Sequence, residues 1–217
     1  MYRLAIFDLD GTLADSLRDL AEAVNNSLAS FGYPTHTVEA YKYFVGNGAK
    51  KLCERALPED KKTDAEIQRL LTHFGEYYST HCFDHTVPYD GMQDTVKRLT
   101  EAGVICAVAS NKPDDFSQIV VERLYGSGLF SLVRGKRDGV PTKPSPDIVY
   151  DICRELDIPS GEAVFIGDSC VDVQTAHNAG LPCIGCVWGF RGEQELRDSG
   201  CDILAYKPEE LFDLIRR

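Results

Sequence analysis

The stretch Arg3-Leu4-Ala5-Ile6-Phe7-Asp8-Leu9-Asp10-Gly11-Thr12 decides the fold class. A continuous run of Leu, Ala, Ile and Phe bounded by Gly reads as a parallel strand buried on both faces, because a half-exposed strand would alternate apolar and polar residues. Such strands deliver ligand-binding residues at their carboxyl ends, where Asp8 and Asp10 stand. Two carboxylates so close repel unless a cation or a proton separates them. The pair therefore reads as a Mg2+ site or as a nucleophile beside a proton donor. The same residues also make an ordinary acidic turn, so the choice depends on what the rest of the chain brings to them.

Past Thr12 the period changes. Asp15 and Ser16 are placed to cap a helix carrying Leu17, Leu20, Ala21, Val24, Leu28 and Phe31 at helical spacing, and Gly32-Tyr33-Pro34 ends it. Helical patterns follow over 38–44, 48–57 and 64–81, with little strand character before Val87. From Tyr89 the texture alternates. Helices are expected over 91–102, 113–125, 145–156 and 171–179, strands over 104–110, 129–134, 163–167 and 183–187, then a short helix and strand before a closing helix over 208–217. Alternation of this length implies a right-handed parallel sheet covered on both sides. The fold class is α/β, a Rossmann-like three-layer core with an all-helical cap inserted after the first strand.

The bulk properties narrow the partners. The 217 residues are 43% hydrophobic, enough for a sizeable core. With 34 acidic against 23 basic residues the net charge is -11, which argues against broad contact with nucleic acid or an anionic membrane. No basic-then-apolar leader and no apolar run near the roughly 20 residues needed to span a bilayer are present, so a cytoplasmic protein is expected. The expected partner is a small phosphorylated metabolite, with the chain acting as a monomer or homodimer. Eight cysteines are scattered without a disulfide framework. Cys183 and Cys186 have the spacing of a zinc or redox pair but lack a second pair, and Cys170 reads as a buried thiol or a redox brake.

Four strand ends carry chemistry. Besides Asp8 and Asp10 there are Ser110-Asn111-Lys112, a basic loop with Lys143-Pro144, and Gly167-Asp168-Ser169 with Asp172 one helical turn on. In a doubly wound sheet these ends converge in one crevice, and their inventory suits phosphoryl transfer to a carboxylate. Asp8 is placed as the nucleophile that becomes an aspartyl phosphate. Asp10 is placed to protonate the leaving oxygen and then activate water. Asp8, the carbonyl of Asp10, Asp168 and Asp172 form the expected Mg2+ set. Ser110 and the amide of Asn111 would hold phosphate oxygens, and Lys143 would neutralise charge on the phosphoryl group and on Asp8. A phospho-accepting signalling module uses a similar inventory, but here a second carboxylate two residues on is poised to discharge the phosphoryl group.

These four motifs, in this order over the whole chain, resemble the haloacid dehalogenase superfamily, specifically its phosphatases with a helical cap after the first motif. The resemblance implies a core of residues 1–14 and 86–217, a cap of residues 15–85 that sets specificity, and Mg2+-dependent phosphomonoester hydrolysis through Asp8. The dehalogenases lack an aspartate at the position of Asp10, which disfavours carbon-halogen cleavage. Val45-Gly46-Asn47-Gly48-Ala49 resembles the cap loop of phosphoglycolate phosphatases, and Val187-Trp188-Gly189-Phe190 is similar to a late core segment of that subfamily. 2-Phosphoglycolate is therefore the favoured substrate. Gly46, Asn47 and Gly48 read as a helix start whose N-H groups suit a small carboxylate, or as a tight helix-helix turn. Thr12, Asn111 and Lys112 complete the expected substrate-binding set. Arg134-Gly135-Lys136-Arg137-Asp138 is a solvated loop or an attractor for pyrophosphate or a phosphosugar, which keeps pyrophosphatase, nucleotide or sugar-phosphate phosphatase and phosphomutase activities as alternatives.

Overall fold

A computed structural model describes residues 2–217. In chain order, β1 (Leu4–Phe7) and β2 (Ala14–Asp15) precede four helices, α1 (Leu17–Ser30), α2 (Val38–Phe44), α3 (Ala49–Ala56) and α4 (Asp64–His81). Then come β3 (Val87–Pro88), α5 (Met92–Glu101), β4 (Ile105–Pro113), α6 (Asp114–Tyr125), β5 (Leu132–Lys136) and α7 (Asp147–Glu155). The chain closes with β6 (Ala163–Gly167), α8 (Cys170–Asn178), β7 (Cys183–Cys186), α9 (Gly192–Asp198), β8 (Ile203–Ala205) and α10 (Glu210–Arg216). Two compact units result, one formed by Pro88–Arg217 with the chain up to Ala14, the other by Asp15–Val87.

The first unit is a six-stranded sheet in the order β5-β4-β1-β6-β7-β8. All its pairings are parallel. The chain winds outward from β1 to β5, then crosses back to β6 and outward to β8, so the order reverses beside β1. Ligands bind at such a switch point, beyond the strands' carboxyl ends. Register fixes what arrives there: Phe7 is level with both Val108 and Ile166, and the ladder continues one residue further through Asp8 N-H to the Ile166 carbonyl, 2.8 Å. Leu4 and Ile6 have no exposed surface and pack with Ala107, Ala109 and Phe165 against Ile148, Val149 and Ile152 of α7 and Val173 and Ala176 of α8. Fully burying a Leu, Ile or Phe side chain is worth about 1.5–3 kcal/mol, so this layer anchors the strand ends rigidly.

Two strands depart from the sequence pattern. β5 lies at 132–136 rather than 129–134, because Phe130 leaves the strand and sets its ring edge-on to Phe7 and Tyr125, with centroids 6.0 and 5.3 Å apart. β4 runs past Ser110 to Pro113, with a shift of register between Ala109 and Pro113. Such irregularities re-aim side chains, and this one covers Ser110-Asn111-Lys112. Ser16 is the N-cap residue of α1, but its side chain makes no capping bond.

The helical unit is held by polar junctions that periodicity does not reveal. Tyr41, without exposed surface, donates its hydroxyl to Asn25 Oδ1 at 2.7 Å, and Asn25 Nδ2 donates to the His36 carbonyl at 2.8 Å. Asp19 in α1 is buried, and its carboxylate accepts from the amide of His85 (2.9 Å), the amide of Thr86 (2.8 Å) and the Thr86 hydroxyl (2.6 Å). Asp19→Ala strands these donors, and is expected to lower the unfolding free energy by about 3 kcal/mol. Urea denaturation measures it; a loss below about 0.5 kcal/mol, the range of an ordinary surface change, would show that water takes over the carboxylate's bonds.

Candidate active site

The carboxyl ends of β1, β4 and β6 and the loop before α7 bring their polar residues together within the sheet unit. Lys143 is buried, and its ammonium lies 2.7 Å from Asp8 Oδ1 and 2.7 Å from Asp172 Oδ1. Asp8, Asp168 and Asp172, all buried, each offer a carboxylate oxygen, and the three oxygens lie within 4.8 Å of one another. Three buried carboxyl groups thus crowd around a single ammonium.

The electrostatic strain shows in the acids. Burial raises the Asp8 carboxyl; contact with Lys143 opposes this and Asp172 adds to it, leaving it at about 7. Burial, followed by the charges of Asp172 and Asp8, holds Asp168 well above the carboxylate range. Burial alone would depress the Lys143 ammonium, yet Asp172 and Asp8 raise it above its ordinary value. The donor set consists of three hard carboxylate oxygens within 4.8 Å of one another, the ligand type a hard divalent cation takes. The residues therefore fit Mg2+.

Each supporting residue has a traceable cause. Asp172 stands at the third position of α8 and takes the amide and hydroxyl of Ser169 on Oδ2, at 3.1 and 2.7 Å, while Oδ1 faces Lys143. An ionised carboxylate has about four lone-pair sites, so Asp172 keeps acceptor capacity toward the cluster. The Asn111 side chain is engaged within the fold. Its amide group brackets Lys143, Nδ2 donating to the Lys143 carbonyl at 3.0 Å and Oδ1 accepting its N-H at 2.8 Å. Ser110 Oγ accepts the Lys112 amide at 3.2 Å.

Asp10 lies outside the carboxylate cluster. Lys112 Nζ sits 3.2 Å from each of its oxygens, and the two side chains are 14% and 4% exposed. Thr12 has no exposed surface, and its hydroxyl donates to Asp168 Oδ1 at 3.4 Å. Gly11, at φ 95°, admits no side chain because a Cβ there would stand 2.5 Å from Asp168 Oδ2.

Within the helical unit, Gly46 and Gly48 adopt φ 113° and 84°, backbone open to glycine, and Gly48 is the N-cap of α3. Asn47 Oδ1 accepts from Arg55 Nη2 at 2.8 Å, and Arg55 Nη1 also donates to the Phe44 carbonyl at 2.9 Å. Arg55 carries no motif, and nothing in the sequence pattern marks it. The basic stretch 134–138 is absorbed by the fold: Arg137 pairs with Asp151 at 2.6 Å, and Arg134 with Asp151 and Glu155. These arginines face the acids of α7, while Lys136 between them is exposed. All eight cysteines are free. None joins a potential metal group among the described residues, and burial pushes the Cys170 thiol up, away from a reactive thiolate.

A family model for haloacid dehalogenase-like hydrolases matches residues 5–186. The chain belongs to this family. As a haloacid dehalogenase-like hydrolase, it is similar to the phosphoglycolate phosphatase of Mannheimia succiniciproducens, with 34% identity covering 99% of this chain and 97% of the relative. The phosphoglycolate phosphatase of Haemophilus influenzae strain KW20 is 33% identical, with 93% of this chain and 92% of that protein covered. A crystal structure from Lactobacillus delbrueckii subsp. bulgaricus, provisionally assigned as a phosphoglycolate phosphatase, matches with a TM-score of 0.94 and 34% identity over 99% of this chain and 98% of that one. No helix among the described residues is long and apolar enough to cross a membrane.

Proposed function

We propose that this hydrolase is a Mg2+-dependent phosphatase that cleaves a small phosphomonoester through an aspartyl phosphate on Asp8, with 2-phosphoglycolate the favoured substrate. The observation that carries the reading is the buried set in which Lys143 touches both Asp8 and Asp172 while Asp8, Asp168 and Asp172 converge within 4.8 Å. The similarity to phosphoglycolate phosphatases over 99% of the chain supports the substrate.

Asp8, Asp168, Asp172 and the Asp10 carbonyl would hold the cation, which supplies charge neutralisation for the phosphoryl oxygens. Asp8 attacks phosphorus, and the ester P-O bond breaks as Asp10 gives its proton to the departing oxygen. Asp10, now a carboxylate, takes a proton from water as that water attacks phosphorus and releases Asp8 and inorganic phosphate. Ser110 and the Asn111 amide hold the non-bridging oxygens, while Lys143 balances charge on Asp8 throughout. The helical unit is proposed to select the leaving group, a role supported by the two-glycine loop at 46–48 that Arg55 braces. Eight free thiols support a reducing, cytoplasmic setting.

A screen of small phosphomonoesters with and without Mg2+ tests the reading. 2-Phosphoglycolate is expected to show the highest kcat/KM and chelation to abolish turnover; undiminished turnover after chelation overturns the cation assignment. A higher kcat/KM for pyrophosphate, a nucleotide or a sugar phosphate moves the substrate assignment.

Lys112 sharpens the substrate question. Its buried ammonium beside Asp10 suits a second anionic group close to the scissile ester, which 2-phosphoglycolate has and p-nitrophenyl phosphate lacks. Charged hydrogen bonds contribute about 1.5–3 kcal/mol, so Lys112→Met is expected to cost about 10–100-fold more kcat/KM with 2-phosphoglycolate than with p-nitrophenyl phosphate. Equal losses would show that Lys112 serves Asp10 alone.

A further inference from the structure

We propose that Trp188-Gly189-Phe190, beyond the end of β7, is a backbone clamp that positions Asp168 for the divalent cation, so that cation affinity depends on residues that do not ligate it and is reported by Trp188. The inference rests on the reading that Asp8, Asp168 and Asp172 hold such a cation.

Two hydrogen bonds and one close backbone approach meet on the Asp168 carboxylate, and Trp188 acts on it through Thr12. The Phe190 amide donates to Asp168 Oδ2 at 2.8 Å. The Trp188 indole N-H donates to the Thr12 carbonyl at 3.2 Å, and the hydroxyl of the same Thr12 reaches Asp168 Oδ1 at 3.4 Å. Gly189 closes against Asp168 so tightly that an added Cβ would overlap the aspartate Cβ and come within 2.5 Å of the Gly11 carbonyl. The Gly189 amide in turn donates to the Cys186 carbonyl at 3.2 Å, tying the segment to the end of β7. Asp168 thus lies between the backbones of Gly11 and Gly189, with its Oδ2 oriented by an amide and its Oδ1 left with a long contact.

A ligating carboxylate gains affinity when its orientation is fixed before the ion arrives, and partners that provide this typically control metal affinity by about 10–100-fold. The clamp uses main-chain atoms and one indole, which explains two glycines against one aspartate. Trp188 is the only tryptophan in the chain. Its indole is one residue, Thr12, removed from Asp168, and its ring meets Tyr89 edge-on at 6.5 Å, so its emission is a local reporter.

The test is Mn2+ and Mg2+ binding by isothermal titration calorimetry to the full chain, beside cation-free thermal melts. Gly189→Ala is expected to weaken Mn2+ binding by about 10–100-fold. Trp188→Phe keeps an aromatic ring but removes the donor, and is expected to weaken binding by about 5-fold, the worth of one neutral hydrogen bond, with a melting temperature within about 4 °C of the parent. In the parent protein, Mg2+ is expected to change Trp188 fluorescence, and Asp168→Asn to abolish that change. Parent-like affinity in both Trp188→Phe and Gly189→Ala overturns the clamp. Absence of binding by the parent protein overturns the cation reading and the clamp with it. If Gly189→Ala does not fold, Trp188→Phe and the fluorescence titration decide.

Discussion

Asp8→Asn is expected to reduce phosphomonoester turnover by about 10^4-fold or more, the scale seen when the nucleophile of a covalent mechanism is removed and only binding and positioning survive. The side chain keeps its shape, and an amide oxygen can still face Lys143, so geometry survives while nucleophilicity is lost. Stability moves the other way. The native site crowds three buried carboxyl groups around one ammonium, and the substitution removes one whose ionisation burial already opposes; the cation-free variant is expected to melt no lower than the parent. Phosphate release and acid-quench trapping of the acyl phosphate measure the first effect, calorimetry the second. Turnover within tenfold of the parent would remove Asp8 from the role of nucleophile.

Lys143→Met has the opposite sign on stability and the second-largest effect. Removing one member of a buried ionic cluster typically costs about 3–5 kcal/mol because the remaining charges are left uncompensated, and here three carboxylates remain. The cation-free variant is expected to lose that amount in chemical denaturation and to recover part of it as Mg2+ is added, by mass action on the folded state. Activity is expected to fall about 10^2–10^3-fold, the range for deleting one preorganised electrostatic stabiliser. Adding Asp172→Asn to Lys143→Met is expected to restore part of the stability, since the two side chains are in contact at 2.7 Å. A Lys143→Met protein as stable as its parent without cation would mean that the carboxylates hold protons and that the lysine balances nothing.

The parts of the fold legible in the sequence are those whose signal is local. β1 and β6 are apolar runs of 4 and 5 residues ending in Asp or Gly-Asp, and α2 and α4 repeat apolar residues at helical spacing from end to end. β2 and β3, two residues each, carry no period at all. The edge strand β5 is displaced because Phe130 serves the core from outside the strand, a choice visible only once Phe7 and Tyr125 are neighbours.

The candidate site divides the same way. Acids at strand ends announce themselves, because a carboxylate directly after a buried run is costly unless a cation or a donor meets it there. What their neighbours do is not legible: Asn111 brackets a lysine 32 residues away, and Phe190 reaches Asp168 through its amide, an atom that marks no particular residue type. The stretch 134–138 misleads for the converse reason. Its charges are conspicuous, but their acidic partners on α7 come from a different part of the chain.

Asp172 joins two of these features, since one of its oxygens starts α8 at Ser169 and the other holds Lys143. The start of the helix and the charge balance of the cluster therefore share one residue. A core in which the first turn of α8 has frayed has lost one of the two carboxylates that hold Lys143, leaving Asp8 as its ion-pair partner.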